Sequence, residues 1–248
     1  MASEKKTRRV RADRLLVERG LFESRAKAQA AITAGMVVAD GVCLAKPSDE
    51  ISPEAVVQAA PAHPWVSRGG IKLAAALDHF GTEPKDRVCL DVGASTGGFT
   101  QVLLARGARN VVAVDVGHGQ LHASLCQRPD ILSIEGTDIR KLDPARLTER
   151  PSLISVDVSF IPLKLVLPAA LALAPPVADL VALIKPQYEA GPEHVKKGIV
   201  RDTSVHERVC ADVAALVASL GWSVRGVIPS PIAGGAGNLE FLLAAYRA

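Results

Sequence analysis

Four ionisable residues lie far apart in the 248-residue sequence, each where a hydrophobic segment begins or stops: Lys72, Asp157, Lys185 and Glu240. Lys72 falls in the first turn of a segment with helical spacing, where the helix macrodipole disfavours a cation. Asp157 and Lys185 end the apolar runs Leu153-Ile-Ser-Val and Leu180-Val-Ala-Leu-Ile, and Glu240 opens the last such run beside a Gly/Pro-rich loop. A lysine can act as a base or stabilise a developing negative charge, while carboxylates hold it in position. Taken singly, each residue reads equally well as a surface ion-pair partner. The position of all four at the ends of elements is what singles them out.

A second constellation is Val88-Cys-Leu-Asp-Val-Gly-Ala-Ser-Thr-Gly-Gly-Phe-Thr100. The apolar run ends in Asp91 and Gly93, a turn of small residues follows, and Gly97-Gly98 leads into a helical segment, 99–106. Strand, tight turn and helix form the opening unit of a doubly wound α/β nucleotide-binding domain. Dinucleotide folds and methyl-donor folds both begin this way. The dinucleotide pattern needs glycine where the backbone meets a pyrophosphate, and Ser95 stands there. S-adenosylmethionine carries no phosphate and tolerates a side chain, so these residues favour a methyltransferase over a dehydrogenase. The next strand, 110–115, ends in Asp115, an acid that both classes use to bind ribose hydroxyls. Asp138 follows a third strand, 131–135, and can hold an adenine amino group. The expected cofactor set is Asp91, Gly93, Ser95, Thr96, Gly97, Gly98, Phe99, Asp115, Asp138 and Asp157.

Residues 9–60 read as a small α+β domain. A short helix over 11–19 is closed by Gly20, Ser24 caps a second over 25–34, and Gly35 ends it. Residues 36–44 form a hairpin turning at Asp40-Gly41. Residues 61–67 are a linker kept extended by Pro61 and Pro64, with Trp65 as an anchor. The remaining residues, 68–248, form the α/β domain. It opens with a helix whose apolar face is Leu73, Leu77 and Phe80. Further strands follow at 153–157 and 180–185, a helix at 205–220, and a final strand pair at 223–228 and 239–245. Asp157 and Lys185 thereby fall at the carboxyl edge of a parallel sheet, where open α/β folds bind ligands. Segment 186–200 is a polar loop carrying Lys196 and Lys197, able to close over a substrate.

Composition removes several classes. Four scattered cysteines without a C-x-x-C pair argue against a zinc site or disulfide framework and suit a reducing cytoplasm. His118 and His122 are four apart, but no third ligand is nearby, so no metal is expected. The longest apolar stretch, 165–184, is interrupted by Pro168, Pro175, Pro176 and Asp179. It therefore reads as helix, turn and strand rather than a membrane span, and no secretory signal is visible. The net charge of +3 is uneven: residues 1–72 carry +4, much of it in Lys5, Lys6, Arg8, Arg9, Arg11 and Arg14. A basic arm of this kind meets nucleic-acid phosphates or remains a solvated tail.

The first domain resembles the S4 RNA-binding domain over Arg14-Leu-Leu, Ser24-Arg-x-Lys-Ala-Gln29, Gly35 and Val38-x-Asp-Gly41. The Lys72, Asp157, Lys185, Glu240 set resembles the tetrad of the FtsJ-like ribose 2′-O-methyltransferases. Their combination resembles the TlyA/hemolysin-A family of ribosomal RNA methyltransferases. The strings that carry this likeness include Trp65-Val-Ser-Arg-Gly-Gly-x-Lys72, Asp157-x-Ser-Phe-Ile161, Lys185-Pro-Gln-Tyr-Glu189 and Gly237-Asn-x-Glu240. The resemblance implies a Rossmann-like class I methyltransferase domain using S-adenosylmethionine, with ribosomal RNA or ribosomal subunits as partner and cytidine as target. Lys185 would then be the group at the hydroxyl, positioned by Asp157, with Lys72 and Glu240 orienting the ribose. Arg11, Arg14, Arg25, Lys27, Arg68, Lys196 and Lys197 would face RNA. A monomer is favoured. A non-catalytic ribosome assembly factor and a membrane-lysing protein are the competing classes, and donor binding and vesicle lysis would separate them.

Overall fold

The structure is a computed structural model and describes residues 9–248; the basic residues Lys5, Lys6 and Arg8 lie outside the described residues. The chain divides into two compact units, residues 1–64 and 65–248.

In the first unit β1 (Val10–Arg11) leads into α1 (Ala12–Glu18) and α2 (Arg25–Thr33). The Ser24 hydroxyl accepts the Lys27 N–H at 3.3 Å and caps α2, satisfying one donor that the helix leaves open. The expected hairpin is β2 (Val37–Ala39) with β3 (Val42–Cys43), and Asp40 and Gly41 both adopt positive φ in its turn. Three short strands were not foreseen, β1 among them. β4 (Glu50–Ile51) pairs with β1, and β5 (Val57–Ala59) pairs with β2. Strands of two or three residues are too short to show alternation. Leu15, Leu16, Phe22, Ala28, Ile32 and Val37 are among the buried residues that hold the unit together.

The second unit begins with α3 (Gly69–Phe80), then alternates: β6 (Val88–Val92), α4 (Gly98–Ala105), β7 (Asn110–Val114), α5 (Ala123–Cys126) and β8 (Ile131–Ile134). After these come β9 (Leu153–Val156), α6 (Leu163–Ala172), β10 (Ala178–Ile184), α7 (Pro186–Glu189), α8 (Thr203–Ser219), β11 (Ser223–Pro229) and β12 (Phe241–Arg247). One seven-stranded sheet has the order β11-β12-β10-β9-β6-β7-β8. β10, β9, β6, β7 and β8 are mutually parallel, and β12 is antiparallel to both its neighbours. The sheet is covered on both faces. Leu73, Leu77, Phe99, Val102 and Leu103 of α3 and α4 pack on one side, and Val166, Leu167, Leu171, Val205, Val209 and Val213 of α6 and α8 on the other. Burial on both faces explains why the central strands read as nearly continuous apolar runs.

The chain leaves β6 toward β7 and returns to its other side as β9, so strand order reverses between β6 and β9. A crevice opens outside the carboxyl ends of strands at such a switch point. Gly93 follows β6 there at φ 83°, and a Cβ on it would lie 2.3 Å from the carbonyl oxygen of Asp157. Only glycine lets these two strand ends approach this closely.

Candidate active site

Strand register brings the tetrad to one edge. Ile184 is paired with Phe241 across β10 and β12, so Lys185 and Glu240, the next residue on each strand, leave the sheet side by side. Asp157 follows β9, whose Val156 pairs with Ala182 of β10. The amino end of α3 lies against that carboxylate, since a Cβ on Gly69 would be 3.7 Å from Asp157 Oδ2. The four residues form two ion pairs. Lys72 Nζ is 2.5 Å from Glu240 Oε2, and Lys185 Nζ is 2.6 Å from Asp157 Oδ1. Lys72, Lys185 and Glu240 are buried, at 8%, 8% and 4% exposure. Lys72 is thus not the solvent-facing lysine commonly found on a helix. Lys185 also donates to Ser159 Oγ at 2.9 Å. An ammonium has three donors; Ser159 takes one, the Asp157 contact is an ion pair without hydrogen-bond alignment, and donor capacity remains for a ligand.

Beside the tetrad, at the mouth of the switch point, is a cavity of about 470 Å³. Of the expected cofactor residues, Gly93, Ser95, Asp115, Asp138 and Asp157 line it. Asp115 accepts the Ser95 N–H at 2.8 Å and the Gly117 N–H at 2.7 Å. A carboxylate has about four acceptor sites, so Asp115 still has capacity for a diol. Asp138 is bound by Arg140, which donates to its carboxylate at 2.5 and 3.0 Å and holds its pKa below the usual carboxylate range. An adenine amino group would share Asp138 with Arg140, itself a wall of the cavity. The other walls include Val92, Val114, Val116, Ile139 and Ile161, which suit a flat apolar ring.

The other expected cofactor residues do not line the cavity, and the structure gives each another task. Asp91 is fully buried beneath the turn and accepts the hydroxyls of Thr100 at 2.6 Å and Ser155 at 3.2 Å. Burial pushes its carboxyl up to about 7. Phe99 belongs to the core between α3, α4 and the sheet. Gly97 starts α4 at φ 90°, where a Cβ would strike Leu125 at 2.4 Å. Gly98 admits Ser67, whose Oγ would lie 2.2 Å from an added Cβ. Thr96 is exposed, and its carbonyl accepts the His122 N–H at 3.2 Å. These are packing demands of the turn, which the sequence does not separate from ligand contacts.

Of the residues expected to face RNA, Arg11 and Arg25 both bind the buried Asp13, at 3.1 and 2.8 Å, yet keep half their side chains in solvent. Arg14 pairs with Glu18 and Lys27 with Glu23 along the helix surface. Arg68 is exposed at the start of α3. Lys196 and Lys197 are exposed on a two-residue hairpin that Lys196 and Ile199 close. The surrounding segment is not a free loop. Its first turn is α7, Glu189 Oε1 accepts the Leu163 N–H at 2.8 Å, and Asn238 binds the Gly198 carbonyl and the Val200 N–H. It is pinned at both ends rather than poised to close.

Several cavity residues were quoted in sequence strings without a role. Ser159 contacts Lys185. Phe160 is 88% exposed at φ 64°, its ring centroid 5.0 Å from that of Tyr188. Such a backbone costs on the order of 1 kcal/mol for a bulky residue and persists where the surroundings demand it. A preference for positive φ at phenylalanine leaves no trace in sequence.

A parallel sheet with a final antiparallel strand, a glycine turn and a ribose-type acid define an enzyme of the methyltransferase class. The FtsJ-like methyltransferase family model matches residues 65–247. The 16S/23S rRNA (cytidine-2′-O)-methyltransferase TlyA of Mycobacterium tuberculosis is 44% identical over 95% of this chain and 89% of its own. A solved structure described as a "putative hemolysin" from Streptococcus thermophilus is 42% identical, with a TM-score of 0.76 over 98% of this chain and 90% of that one. Magnesium protoporphyrin IX methyltransferase from Synechocystis PCC 6803, solved with bound SAH, shares the fold at 15% identity, with a TM-score of 0.51 over 73% of this chain and 82% of that one. The chain belongs to the FtsJ-like methyltransferase family.

Proposed function

We propose that this protein transfers a methyl group from S-adenosylmethionine to the 2′-hydroxyl of a ribosomal RNA nucleotide, cytidine being the expected base. The observation that carries the reading is the two ion pairs, Lys185–Asp157 and Lys72–Glu240, with Lys185 and Glu240 set side by side by strand register at the edge of a cofactor-sized cavity. The named relative supports the RNA target.

Gly93, Ser95, Asp115 and Asp138 fit the cofactor: a glycine for close approach, a side chain where no phosphate must pass, an acid with spare acceptors and a second acid facing an apolar slot. When bound, S-adenosylmethionine supplies an electrophilic methyl on a sulfonium, which needs no acid. The protein must align the hydroxyl and stabilise charge on its oxygen. Ser159 takes one donor of Lys185 and Asp157 holds its charge in place, and a remaining donor can hold the 2′-oxygen and stabilise the alkoxide as its proton passes to water. Lys72 and Glu240, locked together next to Lys185, would orient the ribose. The first unit would act as an S4-type RNA-binding module through Arg11, Arg14, Arg25 and Lys27. Among the described residues no helix is long and apolar enough to cross a membrane; an enzyme acting on ribosomes would work in the cytoplasm.

The test is transfer of labelled methyl to purified ribosomal subunits, run beside Lys185→Ala. Label is expected in the RNA of one or both subunits, reduced about 10²–10³-fold in the variant, the usual loss for one stabilising donor. Near-normal turnover by a folded variant removes Lys185 from the mechanism. Donor binding without label points to another RNA, and absence of donor binding favours an assembly factor.

A further inference from the structure

A second, smaller cavity of about 250 Å³ lies under the hairpin that follows α7, lined by Glu193, His194, Lys196, Ile199, Arg201 and Asp202. Its acids are already engaged. Asp202 caps α8 through the N–H and hydroxyl of Ser204, at 2.9 and 2.8 Å. Glu193 lies 3.5 Å from His194 Nε2. Among the described residues Lys196 and Arg201 have no ion-pair partner, so an anion entering this cavity meets two uncommitted cations and a histidine, with the carboxylates of Glu193 and Asp202 on the same wall. Because Asp202 occupies the end of α8, these side chains rather than the helix would have to hold it.

The hairpin is also fixed to the active site. Asn238 is 3% exposed, and its side chain donates to the Gly198 carbonyl at 2.8 Å and accepts the Val200 N–H at 3.3 Å. His206 Nε2 holds the Val200 carbonyl at 3.0 Å. Glu240 follows Asn238 by two residues and fills the same loop, where a Cβ on Gly234 would lie 1.9 Å from its Oε1. One short loop therefore fixes both the cavity and the carboxylate that holds Lys72. The turn itself is Lys197-Gly198, at φ 52° and 78°. A mirror-image turn of this type favours Asn or Gly at the first position, so lysine is a poor choice for backbone reasons alone.

We propose that this cavity is a docking site for a backbone phosphate of the RNA strand that carries the target ribose, held by Lys196 and Arg201 with His194 as a third donor. The site rests on the RNA-methyltransferase reading given above, and Asn238 is its positioning residue. Holding one phosphate at a fixed offset from Glu240 would set the strand's register at the 2′-hydroxyl. A cation pair at a phosphate steepens the salt dependence of binding.

The test compares full-length wild type, Arg201→Gln and Lys85→Gln, each removing one charge, in binding to purified ribosomal subunits over a KCl series. Donor affinity is measured in parallel. Arg201→Gln is expected to weaken RNA binding about tenfold and to lower the salt slope by about one, as loss of a phosphate contact does, with donor affinity unchanged. Lys85→Gln, on an exposed residue just before β6 and outside the cavity, should change RNA affinity less than about twofold. Equal effects of the two variants would mean that only general surface charge matters and would overturn the site. If Arg201→Gln also loses donor binding, Arg201→Lys decides: recovery of the salt slope supports the site, and no recovery overturns it. If wild type binds donor but shows no salt-dependent binding to either subunit, the RNA reading fails and this site with it.

Discussion

Lys72 and Glu240 show what burial does to a charged pair. Removing two charges from water is costly, and their attraction repays it only when both partners are present. Lys72→Ala leaves Glu240 buried and unpaired, so a loss of about 3–5 kcal/mol is expected from denaturant unfolding. Replacing both, Lys72→Met with Glu240→Leu, should recover most of that stability while methyl transfer stays low. If the double variant is as unstable as the single one, the pair is not the unit proposed. Asp91 is a different case, a buried carboxyl raised to about 7 from an ordinary value of 3.8. Between about pH 4 and pH 7 the folded state therefore holds more protons than the unfolded state, and this group's contribution to stability falls as pH rises through that window. Asp91→Asn should flatten the pH dependence of the unfolding midpoint between pH 4.5 and 7.5. An unchanged slope would show that Asp91 is already ionised there.

At the scale of elements, the site depends on how closely strand ends and helix starts approach. Gly93 and Gly98 each admit a neighbour that a methyl group would displace, the Asp157 carbonyl in one case and the Ser67 hydroxyl in the other. Gly93→Ala meets backbone rather than a movable side chain, and it does so at φ 83°. A loss of about 3 kcal/mol or more is expected, together with loss of donor binding measured by calorimetry. Retained donor affinity at wild-type stability would mean that β6 and β9 can separate without cost. Gly70 is a parallel case on α3: a Cβ there would lie 2.4 Å from Trp65 Cγ. That contact is how Trp65 anchors the segment before α3.

For the whole molecule, the division at Pro64 and Trp65 separates two cores that share no residue. The cavity and the tetrad belong to the second unit alone, and the family model begins at residue 65. Residues 65–248 expressed alone should therefore bind S-adenosylmethionine with wild-type affinity but methylate ribosomal subunits poorly, through a raised KM. Full methylation by this fragment would remove the first unit from substrate recognition.

The order of elements was legible in the sequence because burial on both faces gives β6, β7, β9 and β10 their largely apolar runs, and a glycine, a proline or a charge marks where each stops. The same logic placed Asp157, Lys185 and Glu240 at strand ends and gave Ser24 its capping role. Which residues of the turn line the cavity was not legible. Asp91 and Phe99 sit in the same glycine-rich string as Gly93 and Ser95, yet packing turned the first two inward and left the others facing the cavity. The partners within the tetrad were equally hidden. That Glu240 reaches the site at all follows from β12 entering the sheet antiparallel beside β10, a pairing across 56 intervening residues between Ile184 and Phe241 that no local pattern encodes. Local hydrophobic rhythm determined the elements; the register between distant strands decided the chemistry.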